Sequence, residues 1–437
     1  MKRVSVAVII SILLCIILVS CGGAAEEPTK APTPEATASR NLYKDVKIGV
    51  LYCDDVTDKT GYSYAHDQGI EGMKKELGLK DSQVLKVFNI PSDDEKIIAA
   101  TEELIEKGCK LIFSTHVNYK KAVLKCIDKY PDIIFSQYTT DPEGAINSNR
   151  YYLREYQAKY LAGVVAAYMY KTGHLGYISA FAGAVPDSCA AINAYCLGAQ
   201  AVNPDVSVYV RISGAFDDKE AEQRHFKFLQ DWSCDIFTQD TRTSNIAQIA
   251  QDKGFYAIGC RYDMKEEAPA SVITSTITSW QSYYISAVKA FAVGDWTSFG
   301  NFYGGLKEGT VNLAPLADNC PEELTKMLDS VIGIMKTNQW DVFSGYKLEF
   351  DEKGNAKIFT EDIKDTKKHV AIKAGAEALD DSYIQTKMDY FVKGVSFPTN
   401  PSPSPTPEFT PTPEVTKAPT SAPTSAPTPA PDPTPEP

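Results

Sequence analysis

Short apolar runs alternate along the chain with longer stretches whose apolar residues recur at helical spacing. The first run, Ile48 to Tyr52, is too brief and too β-rich for a helix. A polar loop from Cys53 to Gly61 follows, and apolar residues then return at Ile70, Met73 and Leu77, so the chain reads strand, loop, helix. The alternation continues with a strand over Gln83 to Phe88, a helix from Asp93 to Lys107 stopped by Gly108, and a buried strand Leu111 to Phe113 ending in Ser114, Thr115 and His116. A helix from Tyr119 to Lys129 and a strand Ile133 to Phe135 complete the series, with Gln137 and Thr139 beyond the last strand. From Tyr151 the pattern restarts: helix Gln157 to Tyr170, strand Leu175 to Ser179, helix Ala190 to Ala201, strand Val206 to Ile212, helix Asp218 to Gln230, strand Asp235 to Thr238, helix Ser244 to Lys253, strand Tyr256 to Gly259. Such alternation predicts parallel sheets with helices on both faces, and two series in succession predict two similar lobes with a cleft between them. Past Met264 come an extended β-branched segment, Val272 to Thr278, and an aromatic helix with Trp280, Tyr283, Tyr284 and Phe291. The glycine-rich stretch Tyr303 to Gly309 and a helix over Glu322 to Lys336 follow, a region expected to return to the first lobe and cross once more to the second.

Neither end has this pattern. Lys2 and Arg3 precede an uncharged apolar stretch and then Leu18-Val19-Ser20-Cys21, which reads as a secretion signal closing on a lipobox with Cys21 as the lipidated residue. A plain transmembrane anchor is the alternative. Two or three acyl chains, at ~0.8 kcal/mol for each buried methylene, would anchor stably where one would not. Residues 22–44 and 396–437 are dominated by Pro, Thr, Ser, Ala and Glu and are expected to be a disordered linker and a disordered tail. Roughly 350 residues remain, enough for two lobes. The expected division is 45–149 with 276–308 for the N-terminal lobe and 150–275 with 309–395 for the C-terminal lobe.

Composition narrows the functional classes. The formal net charge is −12 and no basic stripe is present, so nucleic acid is not an expected partner. Ten cysteines include Cys15 and Cys21; the other eight are spread singly and are expected to be mostly buried apolar residues. Catalytic patterns fail one after another. Asp54-Asp55 after the first strand lacks the spacing of a phosphatase nucleophile loop. No Gly-x-Ser-x-Gly elbow, phosphate-binding glycine loop or His-Glu-x-x-His occurs, and the five histidines lack metal-ligand spacing. The expectation is a protein that is not an enzyme and has no cofactor or metal.

In open α/β sheets a ligand lies beyond the carboxyl ends of the strands. Tyr62, Ser63, Tyr64, Thr115, Tyr262, Trp280 and Tyr303 fall at such strand ends or helix starts, as do Asn193, Asp240, Asp263 and Lys307. Flat aromatics beside a carboxylate and an amide suit a planar heterocycle or a sugar.

Several stretches together resemble one family. They are Gly61-Tyr62-Ser63-Tyr64-Ala65-His66-Asp67-Gln68-Gly69, Tyr160-Leu161-Ala162-Gly163-Val164, Thr172-Gly173-His174-Leu175-Gly176-Tyr177, Ile192-Asn193-Ala194-Tyr195, Val202-Asn203-Pro204-Asp205, Tyr256-Ala257-Ile258-Gly259 and Gly304-Gly305-Leu306-Lys307-Glu308-Gly309. In this order they are similar to the basic membrane protein family of substrate-binding lipoproteins, which includes purine nucleoside receptors. The resemblance implies an α/β, type I periplasmic-binding-protein fold: two Rossmann-like lobes, three crossover strands and an interlobe ligand cleft. It implies a purine nucleoside or nucleobase as ligand, an ABC transporter permease as partner, and a lipid-anchored place on the extracytoplasmic face of the cell membrane. A sugar receptor or a sensory binding protein are the alternatives. By the same resemblance Tyr62 stacks on the base, Asp263 holds hydroxyl or amino groups, Trp280 forms a second aromatic wall and Lys307 is the lysine of the glycine-rich segment. Asn193 and Asp240 are further polar contacts. The sequence departs from the family at Tyr62, usually Trp or Phe, and at Gln239-Asp240-Thr241-Arg242, often Q-H-T-D.

Overall fold

The computed structural model describes residues 42–58, 61–140 and 145–400. The leader, Cys21, the linker up to 41 and the tail from 401 lie outside the described residues. The first lobe is built from β1 (Ile48–Leu51), α1 (Tyr62–Leu77), β2 (Val84–Val87), α2 (Asp94–Glu106), β3 (Leu111–Ser114), α3 (Lys120–Lys129), β4 (Ile134–Tyr138) and β5 (Ser148–Leu153). β1 and β3 are buried along their whole length, which is why they read as unbroken apolar runs rather than alternating ones.

The second lobe begins with α4 (Glu155–Met169) and continues through β6 (His174–Ser179), α5 (Pro186–Val202), β7 (Ser207–Ile212), α6 (Lys219–Asp231), β8 (Ile236–Gln239), α7 (Asn245–Lys253), β9 (Tyr256–Arg261) and β10 (Val272–Thr278). The chain then returns to the first lobe for α8 (Gln281–Ala292), α9 (Trp296–Phe299) and β11 (Phe302–Gly304), and crosses back for β12 (Val311–Leu313) and α10 (Glu322–Lys336). The first sheet runs β11-β5-β4-β3-β1-β2, with every pair parallel. The second runs β12-β10-β9-β8-β6-β7-β17, where β17 is Val395–Ser396 and only β12 is antiparallel to its neighbour. Connections between the sheets follow Leu153, Thr278 and Gly304. The first sheet thus extends past the expected boundary at 149, and the second past 275, because β5 and β10 keep their ladder pairing to those points.

α4 and α5 pack backbone to backbone. A Cβ on Gly163 would lie 2.0 Å from the Tyr195 carbonyl oxygen, and one on Gly198 1.9 Å from that of Tyr160, so the small residues of both helices are a condition of this contact. The eight cysteines among the described residues are unpaired, six of them buried, and Cys189 and Cys196 form no disulfide.

Beyond α10 a C-terminal segment wraps the second lobe. It comprises the hairpin β13 (Tyr346–Phe350) and β14 (Ala356–Thr360), the small pair β15 (Ile363–Lys364) and β16 (Val370–Ile372), the short α11 (Asp381–Thr386), and β17 laid parallel to β7. Residues 396–400, expected to begin a disordered tail, are held: the Arg211 guanidinium donates to the Pro398 carbonyl at 2.6 Å, Trp232 Nε1 donates to that of Asn400 at 3.0 Å, and Phe397 packs on Phe391. At the other end Tyr43, expected in the linker, is buried, and its carbonyl accepts from Gln83 Nε2 at 2.8 Å.

Candidate functional site

The first-lobe wall of the cleft is made by the carboxyl ends of β1, β3 and β4. Tyr62 opens α1, and its hydroxyl donates to the Thr115 carbonyl, which fixes the ring against the edges of His66, His116 and Tyr138. Thr115 is fully buried and its Oγ1 donates to the Leu51 carbonyl at 2.8 Å, so its side chain ties β3 to β1. Ser63 is also buried, with Oγ accepting from the Asp54 backbone N–H at 3.1 Å, and shapes the loop after β1. Two other polar residues of the opening motif are internal: His66 Nδ1 meets the Tyr284 hydroxyl at 2.7 Å, and Asp67 accepts from Tyr52 and from Lys86 on β2. Of the motif, Tyr62 is the side chain that meets the opposing lobe.

The second-lobe wall comes from the ends of β6, β7, β8 and β9. Phe181 and Phe216 meet edge to face at 5.1 Å. The Arg242 guanidinium lies over Phe216 at 4.3 Å and over Tyr62 of the first lobe at 5.5 Å, so one planar group sits between an aromatic ring of each lobe. Arg261 ends β9 with φ +76°, a left-handed conformation disfavoured for a residue with a Cβ, and its guanidinium also approaches Phe216, at 5.9 Å. Arg242 Nε and Arg261 Nε are buried with no hydrogen-bond partner among the described residues. Buried donors without partners are uncommon and point to a ligand's acceptors.

Several expected site residues lie elsewhere. Asp263 is exposed and its carboxylate accepts from the Lys265 backbone N–H at 3.1 Å in a local turn, because the left-handed Arg261 redirects the chain at the strand end. Lys307 is exposed on the third crossing, where Leu306 N–H donates to Gln157 Oε1 at 2.9 Å and the glycine-rich stretch serves as a tight turn. Asn193 is buried in α5 and spends its amide on the C-terminal segment, donating to the Tyr390 carbonyl and accepting from Val392 N–H. Trp280 is 3% exposed and stacks on His66 at 4.4 Å, with Tyr138 and Tyr151 against its edges; it backs the first-lobe wall as core. Asp240 does sit at the end of β8 in the cleft, with both oxygens engaged, by Ser179 Oγ at 2.7 Å and Ala180 N–H at 2.6 Å. Tyr262 is half-buried at the end of β9, with its hydroxyl unpartnered among the described residues. The residues that sequence reading missed are Phe181, Phe216, Arg242, Arg261, Asp187 and Glu155. The signals were available for the arginines: Arg261 is the last residue of a strand, and Arg242 stands where the family pattern has an acid.

The charges in the cleft are unevenly matched. Arg261 has Glu155 and Asp240 as electrostatic neighbours, and Glu155, Arg261 and Asp240 also surround Asp187. Burial and the nearby Glu155 carboxylate push the Asp187 carboxyl up to about 7, against a hydrogen bond from Tyr152 at 3.1 Å. Burial likewise raises Asp240. Arg242 is lowered, first by burial and then by repulsion from Arg261. A cavity of about 210 Å³ lies away from the cleft, between the second lobe and the C-terminal segment, lined by Tyr160, Trp340, Tyr346 and Phe359 among others.

Residues 45–337 match the Bmp family, described as ABC transporter substrate-binding protein, PnrA-like. A purine-binding protein of Brucella abortus is 34% identical over 301 residues, covering 69% of this chain and 83% of that protein. A putative ABC transporter glucose-binding protein of Haloferax volcanii is 25% identical over 304 residues, 70% of this chain and 75% of that one. Among solved structures, a solute-binding protein of an ABC transporter system from Conexibacter woesei superposes with a TM-score of 0.56 at 17% identity, over 68% of this chain and 98% of that chain, a likeness of fold. Two parallel-sheet lobes, three crossings and a cleft at the strand ends are the type I periplasmic-binding-protein fold. With the match over both lobes, the chain belongs to the PnrA-like family of ABC transporter substrate-binding proteins.

Proposed function

We propose that this chain captures a purine base or nucleoside between its lobes, outside the cell, and delivers it to the permease of an ABC importer. The observation that carries the reading is the pair of aromatic rings, Tyr62 and Phe216, presented by opposite lobes to a single planar group. A purine fits such a slot, where stacking contributes about 1–3 kcal/mol per base, and the similarity to the Brucella purine-binding protein supports it. The carboxylates Asp187 and Glu155, near each other and Arg261, suit hydroxyl or N–H donors of the same ligand. The purified chain is to be denatured, the released small molecules identified by mass spectrometry, and binding measured by calorimetry with guanosine, inosine, adenosine, adenine and glucose. Purine binding at micromolar or tighter affinity is expected; a sugar in the released fraction with no purine bound would overturn the reading.

Anchoring belongs to the same proposal. Leu18-Val19-Ser20-Cys21 would place acyl chains on Cys21, and no helix among the described residues is long and apolar enough to cross a membrane. Labelling with a palmitate analogue should mark the parent chain and not Cys21→Ala, which should be released to the medium. Equal labelling of both would remove Cys21 from the role.

A further inference from the structure

We infer that the cleft selects 6-oxopurines over 6-aminopurines, with Arg242 as the residue that determines the choice; this rests on the purine reading above. The argument starts from what the guanidinium lacks. The Arg242 guanidinium lies over the Phe216 ring at 4.3 Å and over the Tyr62 ring at 5.5 Å, and its Nε is buried without a partner among the described residues. Its backbone is pinned, the N–H donating to the Phe216 carbonyl at 2.6 Å, so the side chain swings from a fixed root. Arg261, whose guanidinium approaches the same Phe216 ring at 5.9 Å, carries a second unpartnered Nε. Glu155 and Asp240 lie close enough to offset the charge of Arg261, whereas for Arg242 the repulsive Arg261 outweighs the one neighbouring carboxylate, Asp54. The cleft therefore holds two guanidinium Nε–H donors in need of acceptors.

A base stacked between Tyr62 and Phe216 takes the place of the guanidinium and leaves it at the ring edge, in the plane of the base. A guanidinium has donors only, in a planar fork. The edge of a 6-oxopurine presents two adjacent acceptors, O6 and N7, which such a fork meets with two parallel hydrogen bonds. A 6-aminopurine presents N7 beside an amino donor, which would face an arginine donor and leave both unpaired in a desolvated site. Arg242 thus works as a filter at the base edge, while Asp187 and Glu155 remain for the opposite side of the ligand.

The test is calorimetry on the full chain with the pairs hypoxanthine and adenine, and inosine and adenosine, for the parent, Arg242→Gln and Arg242→Lys. The parent is expected to bind the oxo member of each pair at least ten-fold more tightly. Arg242→Gln, whose amide can pair with either edge, should bring the two members within about three-fold of each other, and Arg242→Lys should weaken oxopurine binding without improving adenine. Melting temperatures check that each variant is folded; if Arg242→Gln is not, the lysine variant and the parent's own preference decide. Equal or tighter binding of adenine by the parent overturns the inference while leaving the purine reading intact, as does equal loss for both members in the folded variants. Absence of binding to all four ligands overturns the purine reading, and this inference with it.

Discussion

Asp240 and Asp263 are both carboxylates at the ends of adjacent strands, and the family resemblance puts Asp263 first as the one that holds the ligand. The structure separates them by their partners. Asp240 is buried with both oxygens satisfied by Ser179 and Ala180, whereas Asp263 is exposed and caps a turn. Asp240→Ala leaves a buried donor pair unmet and should cost about 1–3 kcal/mol of stability along with ligand affinity. Asp263→Ala should stay within about 0.5 kcal/mol and bind ligand as the parent does, by denaturant melts and calorimetry. A ten-fold loss of affinity in Asp263→Ala would contradict its placement outside the cleft. Tyr62→Ala should weaken binding at least ten-fold with the fold retained; unchanged affinity would show that the ring serves the wall alone. Asp187 adds a pH dependence. Its folded carboxyl is raised to about 7, so between about 4 and 7 the folded chain keeps a proton that the unfolded chain gives up, and this group makes the protein less stable as pH rises through that window. Asp187→Asn should gain in melting temperature relative to the parent as pH goes from 4 to 7, and a constant difference would show that the carboxyl titrates normally.

At the scale of elements, strands and helices were largely legible, because β1 and β3 are buried on both faces and helices such as α3 carry one apolar stripe. The C-terminal segment was not. β14 has four exposed residues in succession and β15 has two residues in all, so neither shows a period to read. Yet this segment reaches the crossings between the lobes. Arg154, between β5 and α4, makes a bidentate pair with Asp381 at 2.9 and 2.8 Å, and Asp341 accepts from Tyr156 at 3.0 Å and from Gln157, whose carbonyl in turn receives Leu306 N–H from the third crossing. Asp381→Ala should lower stability by about 1–2 kcal/mol, less than for a fully buried charge pair because both side chains keep some contact with solvent. Chemical denaturation measures this; an unchanged midpoint would mean that the pair carries no weight.

On the scale of the whole molecule, two lobes and a type I fold followed from the repeated alternation and the family resemblance, and the family match bears out both. The site was legible to the level of which loops form it, since strand carboxyl ends set that, but less so to the level of which side chain on each loop faces inward. That choice depends on single backbone angles, such as the left-handed Arg261, and on long-range partners, such as the C-terminal carbonyl that claims Asn193. The attachment of the two described ends has a practical consequence. Residue 43 is fastened beneath the first lobe through Gln83, and residue 400 to Trp232 on the second. Fluorophores at 42 and 400 would therefore ride on different lobes, so that energy transfer between them turns the molecule into its own ruler for any change in the spacing of the lobes when ligand is added.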